Sequence, residues 1–204
     1  MTIALPETKN PNHPKLGSST KVEPIRDKKA IQRIKKLLRD QPRDLCLFTL
    51  GINTAFRANE LLAIKVGAVR HLQPGDVLER KQSKTNKYRG VILNPSAYAV
   101  IQVWLNSQKG QTLGDDDYLF TGKRGVLSVS SVSTMVKMWC QNVGLKGNYG
   151  SHTLRKTWGY WQRKERGTAI PLLMEAFRHA TQRQTLDYLG IEANEIAEIY
   201  DLEL

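Results

Sequence analysis

The chain has 204 residues, 40% of them hydrophobic, which is enough for one domain with a buried core. Its net charge is +12, which favours a polyanionic partner over a merely solvated surface. Two cysteines exclude a disulfide framework, no Cys/His cluster has zinc-ligand spacing, and no apolar run is long enough to cross a membrane. With no signal peptide in view, the expected location is the cytoplasm.

Residues 1–26 hold Pro6, Pro11, Pro14 and Pro24 and show no periodic apolar pattern. They are expected to form a mobile basic tail, which either rests on a polyanion through Lys9, Lys15, Lys21 and Arg26 or is simply solvated. Asp27 can cap a first helix carrying Ile31, Ile34, Leu37 and Leu38. Pro42 opens a second, largely apolar helix through residue 52. Arg57 follows it, with Glu60 three residues on as a natural ion-pair partner.

From Val66 the periodicity changes, and residues 68–71 read as a short strand. Residues 76–82 and 88–93 read as a hairpin with a basic tip, Ser83-Lys84-Thr85-Asn86-Lys87. Pro95 starts another helix, and Tyr118-Leu119-Phe120 is a buried anchor before a basic turn at 121–125. Ser128 or Ser130 caps a helix that Gly144 ends. Further helices follow from Ser151, over 170–176, and from Thr181 through Tyr188. Cys46 and Cys140 both fall in apolar helical surroundings, as buried free thiols would. The predicted fold is mainly α with a small antiparallel β-sheet (α+β).

Between residues 149 and 190 the chain gathers His152, Arg155, His179 and Tyr188. A histidine moves protons near neutral pH, an arginine holds phosphate with a planar fork, and a tyrosine hydroxyl can act as a nucleophile. Those groups suit phosphodiester chemistry.

The pattern resembles the catalytic domain of the tyrosine recombinases, or phage integrases. Thr54-Ala55-Phe56-Arg57-Ala58-Asn59-Glu60-Leu61 is similar to that family's first-arginine box, T-G-x-R-x-x-E-L. Ser83–Lys87 is similar to its lysine hairpin, His152-Thr153-Leu154-Arg155 fits H-x-L-R, and His179 with Thr185 and Tyr188 fits G-H-x-x-x-x-x-T-x-x-Y. Two departures stand out: Ala55-Phe56 in the first box, and Phe177-Arg178 where the family has leucine and glycine. The resemblance covers about residues 27–190, read as the catalytic domain. The expectation is a catalytic domain on its own, without the N-terminal clamp domain usual in the family. Residues 191–204 are read as an acidic amphipathic helix bearing Ala193, Ile196, Ala197 and Tyr200 on one face. That helix docks either on its own domain or on a neighbouring protomer.

The resemblance implies a site-specific DNA recombinase in which Tyr188 attacks a scissile phosphate and forms a 3′-phosphotyrosine. Arg57 and Arg155 grip the non-bridging oxygens, Lys84 protonates the leaving 5′-oxygen, His152 exchanges a proton with the tyrosine, and His179 supports the phosphate. Lys81 and Lys87 share the hairpin with Lys84, and Tyr200 is a rival to Tyr188. No cofactor and no metal are expected. The expected partners are double-stranded DNA, further copies of the chain from dimer to tetramer, and an accessory DNA-bending protein; no membrane is expected. Two alternatives are a catalytically silent DNA-binding regulator and a type IB topoisomerase.

Overall fold

A computed structural model describes residues 21–81, 88–191, 195, 197–201 and 203. Its helices begin where the sequence supplies a cap or a proline. The Asp27 carboxylate accepts the Lys29 N–H and opens α1 (Lys28–Leu37). Pro42 sits in the first turn of α2 (Pro42–Thr54), and a short α3 (Ala58–Leu62) follows. Asn94 and Ser128 cap α4 (Pro95–Leu105) and α5 (Val129–Asn142) through their side-chain oxygens. Then come α6 (Ser151–Arg166), α7 (Ile170–Phe177) and α8 (Gln182–Leu189), the last capped by Thr181.

The central α2 packs on α4 and α6. Leu47, Phe48 and Leu50 of α2 meet Ile101 and Trp104 of α4, Trp139 of α5 and Leu154 of α6 in one buried cluster. Phe48 and Trp139 meet edge to face at 5.9 Å, and the buried Trp104 indole donates to the Leu119 carbonyl at 2.9 Å. A Cβ on Gly51 would lie 2.5 Å from Cδ1 of Leu154, so glycine sets how closely α2 approaches α6. A smaller apolar cluster of Ala55, Leu173, Phe177 and Leu189 supports α8, with Tyr188 packed on it.

Strands β1 (Val77–Lys81) and β2 (Tyr88–Ile92) pair antiparallel, with Val77 opposite Ile92. Leu78 is buried while Val77 and Ile92 face solvent, the expected alternation of a one-sided sheet. A second ladder joins β3 (Thr121–Gly122) to β4 (Gly125–Val126). The fold is therefore mainly helical, with two small antiparallel sheets where the sequence reading expected one. The basic turn at 121–125 closes the extra hairpin.

Two local expectations differ from the structure. The expected strand at 68–71 is a 3-10 turn, Val66–Ala68, followed by turns. Val66, Val69 and Leu72 are buried at a spacing of three, which fits a tight helical turn and not an alternating strand. Residues 21–26, expected as tail, cross α6 in extended form. The Ile25 side chain is fully buried, its N–H donates to Thr157 Oγ1 at 2.8 Å, and its carbonyl accepts the Trp161 indole at 3.0 Å. Arg26 Nη2 reaches the Gly190 carbonyl at the end of α8 at 3.2 Å.

Residues 1–20 lie outside the described residues, as do Ser83 to Lys87 at the hairpin tip, and with them Lys84. Ala193 and Ile196 of the expected tail helix also lie outside. Of that segment, Glu195 pairs with Arg163, and Glu198–Asp201 forms a 3-10 turn in which Tyr200 is exposed. Cys46 and Cys140 are buried and free; burial raises both thiols, Cys140 to about 12.

Candidate active site

Arg155 is 1% exposed, and a buried guanidinium needs acceptors. It finds them at two helix ends. Nη1 donates to the Ala55 carbonyl after α2, and Nη2 donates to the Phe177 carbonyl closing α7. Carbonyls at a helix C-terminus lack partners inside the helix and carry its negative pole, so they suit a cation. Both helices end through a left-handed residue, Ala55 at φ 54° and Arg178 at φ 50°. At α7 the turn is a Schellman motif: the Arg178 N–H bonds the Glu175 carbonyl at 2.9 Å, and the His179 N–H bonds Met174 at 3.0 Å. The two departures from the family pattern thus keep a glycine-type backbone without the glycine, at a cost of about 1–2 kcal/mol each.

Arg57 precedes α3, and Glu60 anchors it. The Glu60 carboxylate accepts the Arg57 backbone N–H at 2.6 Å and lies 3.4 Å from its Nη1. The same carboxylate lies 3.8 Å from Nη1 of Arg155. Arg57 Nη2 also approaches the Phe177 carbonyl at 3.5 Å. One carboxylate and one carbonyl therefore hold both guanidinium groups side by side.

Tyr188 lies on α8 with its hydroxyl 3.0 Å from Nδ1 of His152 on α6. Its ring packs against Phe177 and His179 at centroid distances of 5.1 and 5.0 Å. The Arg155 guanidinium carbon lies 5.8 Å and Lys156 Nζ 5.0 Å from the ring centre. Burial raises the Tyr188 pKa, while Arg155, Arg57 and a hydrogen bond from Arg155 pull it down. The net shift is upward, so the phenol stays protonated at neutral pH until a base takes its proton. Burial lowers the His152 pKa, and Arg155, Arg57 and Lys156 lower it further. His152 is thus a neutral imidazole able to accept that proton. His179 is pushed down to about 4 by burial, then by Arg155 and Arg57. Its Nδ1 lies 3.1 Å from Thr185 Oγ1, which leaves Nε2 as its other hydrogen-bonding atom.

A cleft of 560 Å³ opens over these groups, bordered by Arg57, His152, Lys156, Arg178, His179 and Tyr188. The structure brings together Arg57, His152, Arg155, His179 and Tyr188; Lys84 lies outside the described residues. A second groove of 520 Å³, between Ile52, Asn94, Trp158 and Glu165, is bordered by none of Arg57, His152, Arg155, His179 and Tyr188. Among the described residues no group of three or more His, Cys, Asp or Glu could hold a metal ion, and no helix is long and apolar enough to cross a membrane. The sequence reading missed Lys156 and the carbonyls of Ala55 and Phe177 as site elements. A signal existed for Lys156, which is i+4 from His152 and so shares its helix face.

A helical domain with two arginines, two histidines and a tyrosine around one cleft defines a class, the tyrosine-type DNA recombinases. The phage integrase family pattern matches residues 26–195, and the chain belongs to that family. It is 32% identical over 174 residues to the "Probable integrase/recombinase YoeC" of Bacillus subtilis (strain 168), covering 84% of this chain and 91% of that one. It is 22% identical over 160 residues to tyrosine recombinase XerC of Psychromonas ingrahamii, covering 78% of this chain and 52% of XerC. The chain thus spans most of YoeC and about half of the XerC relative. Among solved structures, XerA recombinase matches with a TM-score of 0.74 at 20% identity, over 91% of this chain and 66% of XerA. XerH bound to a palindromic difH substrate matches with a TM-score of 0.70 at 21% identity, over 86% of this chain and 51% of XerH. At those identities the likeness is one of fold.

Proposed function

We propose that this protein cuts and rejoins double-stranded DNA at specific sites through a covalent tyrosine intermediate. The carrying observation is the 3.0 Å contact between Tyr188 and His152 beside two guanidinium groups. In the forward step His152 accepts the phenolic proton as the Tyr188 oxygen attacks phosphorus. The bond to the 5′-oxygen breaks, leaving a 3′-phosphotyrosine and a free 5′-hydroxyl once Lys84 has supplied a proton. Arg57 and Arg155 stabilise the added negative charge on the non-bridging oxygens, and His179 adds an uncharged hydrogen bond. The phosphoester energy is retained in the adduct, so attack by a 5′-hydroxyl reseals the strand without ATP. No step calls on a metal or cofactor. Recombination joins two duplexes, so the working form is an assembly of copies on DNA, a dimer or tetramer. An accessory DNA-bending protein would aid that assembly. The reaction belongs to the cytoplasm, at the chromosome.

The test is covalent capture on a nicked suicide duplex, run beside plasmid inversion and relaxation. The wild-type chain should give a denaturant-resistant adduct that Tyr188→Phe abolishes with binding retained. Binding without an adduct would mean a DNA-binding regulator. Relaxation of supercoils without recombination would mean a topoisomerase. An adduct that survives Tyr188→Phe would move the nucleophile, with Tyr200 the next candidate.

A further inference from the structure

Lys156 borders this cleft, and no motif position claims it. It follows Arg155 in α6 and lies one turn beyond His152. The residue is 7% exposed, so most of its stem is buried, and an ammonium held at the edge of the protein interior is favoured when an anion meets it. Among the described residues its ammonium has no hydrogen-bond or ion-pair partner. The acids Asp187 and Glu23 act on it only through space, and the cations Lys21 and Arg26 oppose them. Its ammonium lies over the face of Tyr188, with Nζ 5.0 Å from the ring centre. Lys156 borders the same cleft as Arg57, His152 and His179. A lysine with no ion-pair partner among the described residues, bordering a cleft lined by Lys21, Arg57 and Arg178 against the one acid Asp187, is arranged for an anion that arrives with the substrate.

We propose that Lys156 is a phosphate ligand, holding the DNA backbone phosphate next to the one that Tyr188 attacks; this rests on the DNA-cleaving reading above. The placement follows from the contact. Nζ lies over the ring, while His152 and Arg155 hold the hydroxyl. The attacked phosphate must meet the hydroxyl, and His152 and Arg155 already serve that atom, so Lys156 is assigned to the neighbouring phosphate along the strand. Reaching it costs the lysine only a weak cation–π contact and provides a charge-assisted hydrogen bond. A lysine presents a point charge to phosphate and reads no base, so the contact adds affinity without sequence preference.

The experiment measures binding of a short mixed-sequence duplex by Tyr188→Phe protein across a range of salt, with and without Lys156→Met. Methionine fills the slot without the charge, and a melting curve checks the fold. Loss of one phosphate contact should reduce the slope of log K against log salt by about 0.9. Lys156→Arg should keep the parent slope. An unchanged slope in a folded Lys156→Met protein overturns the proposal, whatever the cleavage assay shows. If the slope falls yet the wild-type chain forms no adduct on the nicked duplex, the phosphate ligand stands and the cleavage reading fails. If the parent binds no duplex in a salt-dependent way, both fail.

Discussion

The Tyr188 hydroxyl and Nδ1 of His152 lie 3.0 Å apart although the residues sit on different helices. The contact depends on how α8 is held against α6. Residues 21–26 tie the two together: Ile25 bonds Thr157 and Trp161 of α6, and Arg26 bonds the Gly190 carbonyl that ends α8. The Ala55–Phe177–Leu189 cluster supports α8 from beneath. The positions of Tyr188 and His152 are therefore set by packing outside the cleft.

That contact predicts a pH profile. His152 must be neutral to take the phenolic proton, and its pKa is held below the ordinary imidazole value of about 6.5. The acid limb of single-turnover cleavage should therefore lie below about pH 6.5, and His152→Gln should remove it. A limb at or above the ordinary imidazole value would rule out His152 as the base. The histidines also affect stability in one direction. Both favour the neutral folded form, so the unfolded chain binds protons first as pH falls. Their contribution is complete above about pH 6.5, and for His179 it is lost as pH drops toward about 4.

The two arginines should separate folding from chemistry. Arg57 is part-exposed and pairs with Glu60 at its edge, so Arg57→Ala should cost about 1 kcal/mol of stability or less. Its cleavage rate should nevertheless fall by roughly two to three orders of magnitude, the usual effect of deleting a preorganised donor. Arg155→Ala removes the donor to two buried carbonyls and one of the partners of Glu60, and should lower stability by about 3–5 kcal/mol as well. Denaturant melts beside adduct assays check both; equal stability losses would contradict this division of roles.

Much of this was legible in the sequence, because caps, prolines and motif spacing act locally. Asp27, Ser128 and Thr181 cap the helices as read, and the i+3 spacing of Arg57 and Glu60 anticipates their pairing. The segment at 21–26 was not legible. Extended chain has no period, and Pro24 signals irregularity whether or not Ile25 is buried. The grip of Arg155 on Ala55 and Phe177 was hidden because carbonyls carry no side-chain identity. Lys156 left only its i+4 spacing from His152 as a trace, because long cations usually snorkel to solvent and only the fold places Tyr188 beneath its ammonium.

Arg178 carries a testable cost. It occupies the left-handed position of the α7 turn at φ 50°, where glycine is unstrained. Arg178→Gly should raise stability by about 0.5–1 kcal/mol, the relief of strain less the added entropy of the unfolded chain. Removing a cation that borders the cleft should at the same time weaken duplex binding. A melting temperature that falls in the glycine variant would show that the arginine side chain contributes more to the fold than its backbone costs.

The hairpin lysine can be identified chemically. A duplex with sulfur in place of the bridging 5′-oxygen has a leaving group that needs no proton. Lys84→Ala should cleave ordinary DNA poorly and the sulfur-substituted duplex nearly as well as wild type. Rescue seen instead with Lys81→Ala or Lys87→Ala would reassign the acid along the hairpin.

Gly159 tests whether the wall behind Tyr188 positions the arginines. It faces α7 from the middle of α6, and a Cβ there would lie 2.3 Å from Cζ of Phe177 and 3.0 Å from Cδ2 of Leu189. Phe177 cannot absorb this by a small rotation. Its ring stacks on His179 at 5.1 Å and meets Trp158 edge-on at 5.5 Å. Its backbone must shift, and its carbonyl is the acceptor for both Arg155 and Arg57. Overpacking costs about 1–3 kcal/mol, and the better helix propensity of alanine returns about 1. Gly159→Ala should therefore fold with a modestly lower melting temperature. Cleavage should suffer more, by roughly a hundredfold, because a displacement of about 1 Å in a positioning group can cost that much. Adding Phe177→Leu removes the atoms that clash and should recover part of the rate. If Gly159→Ala cleaves at the wild-type rate, Phe177 is a packing residue only, and the arginines owe their placement to Glu60.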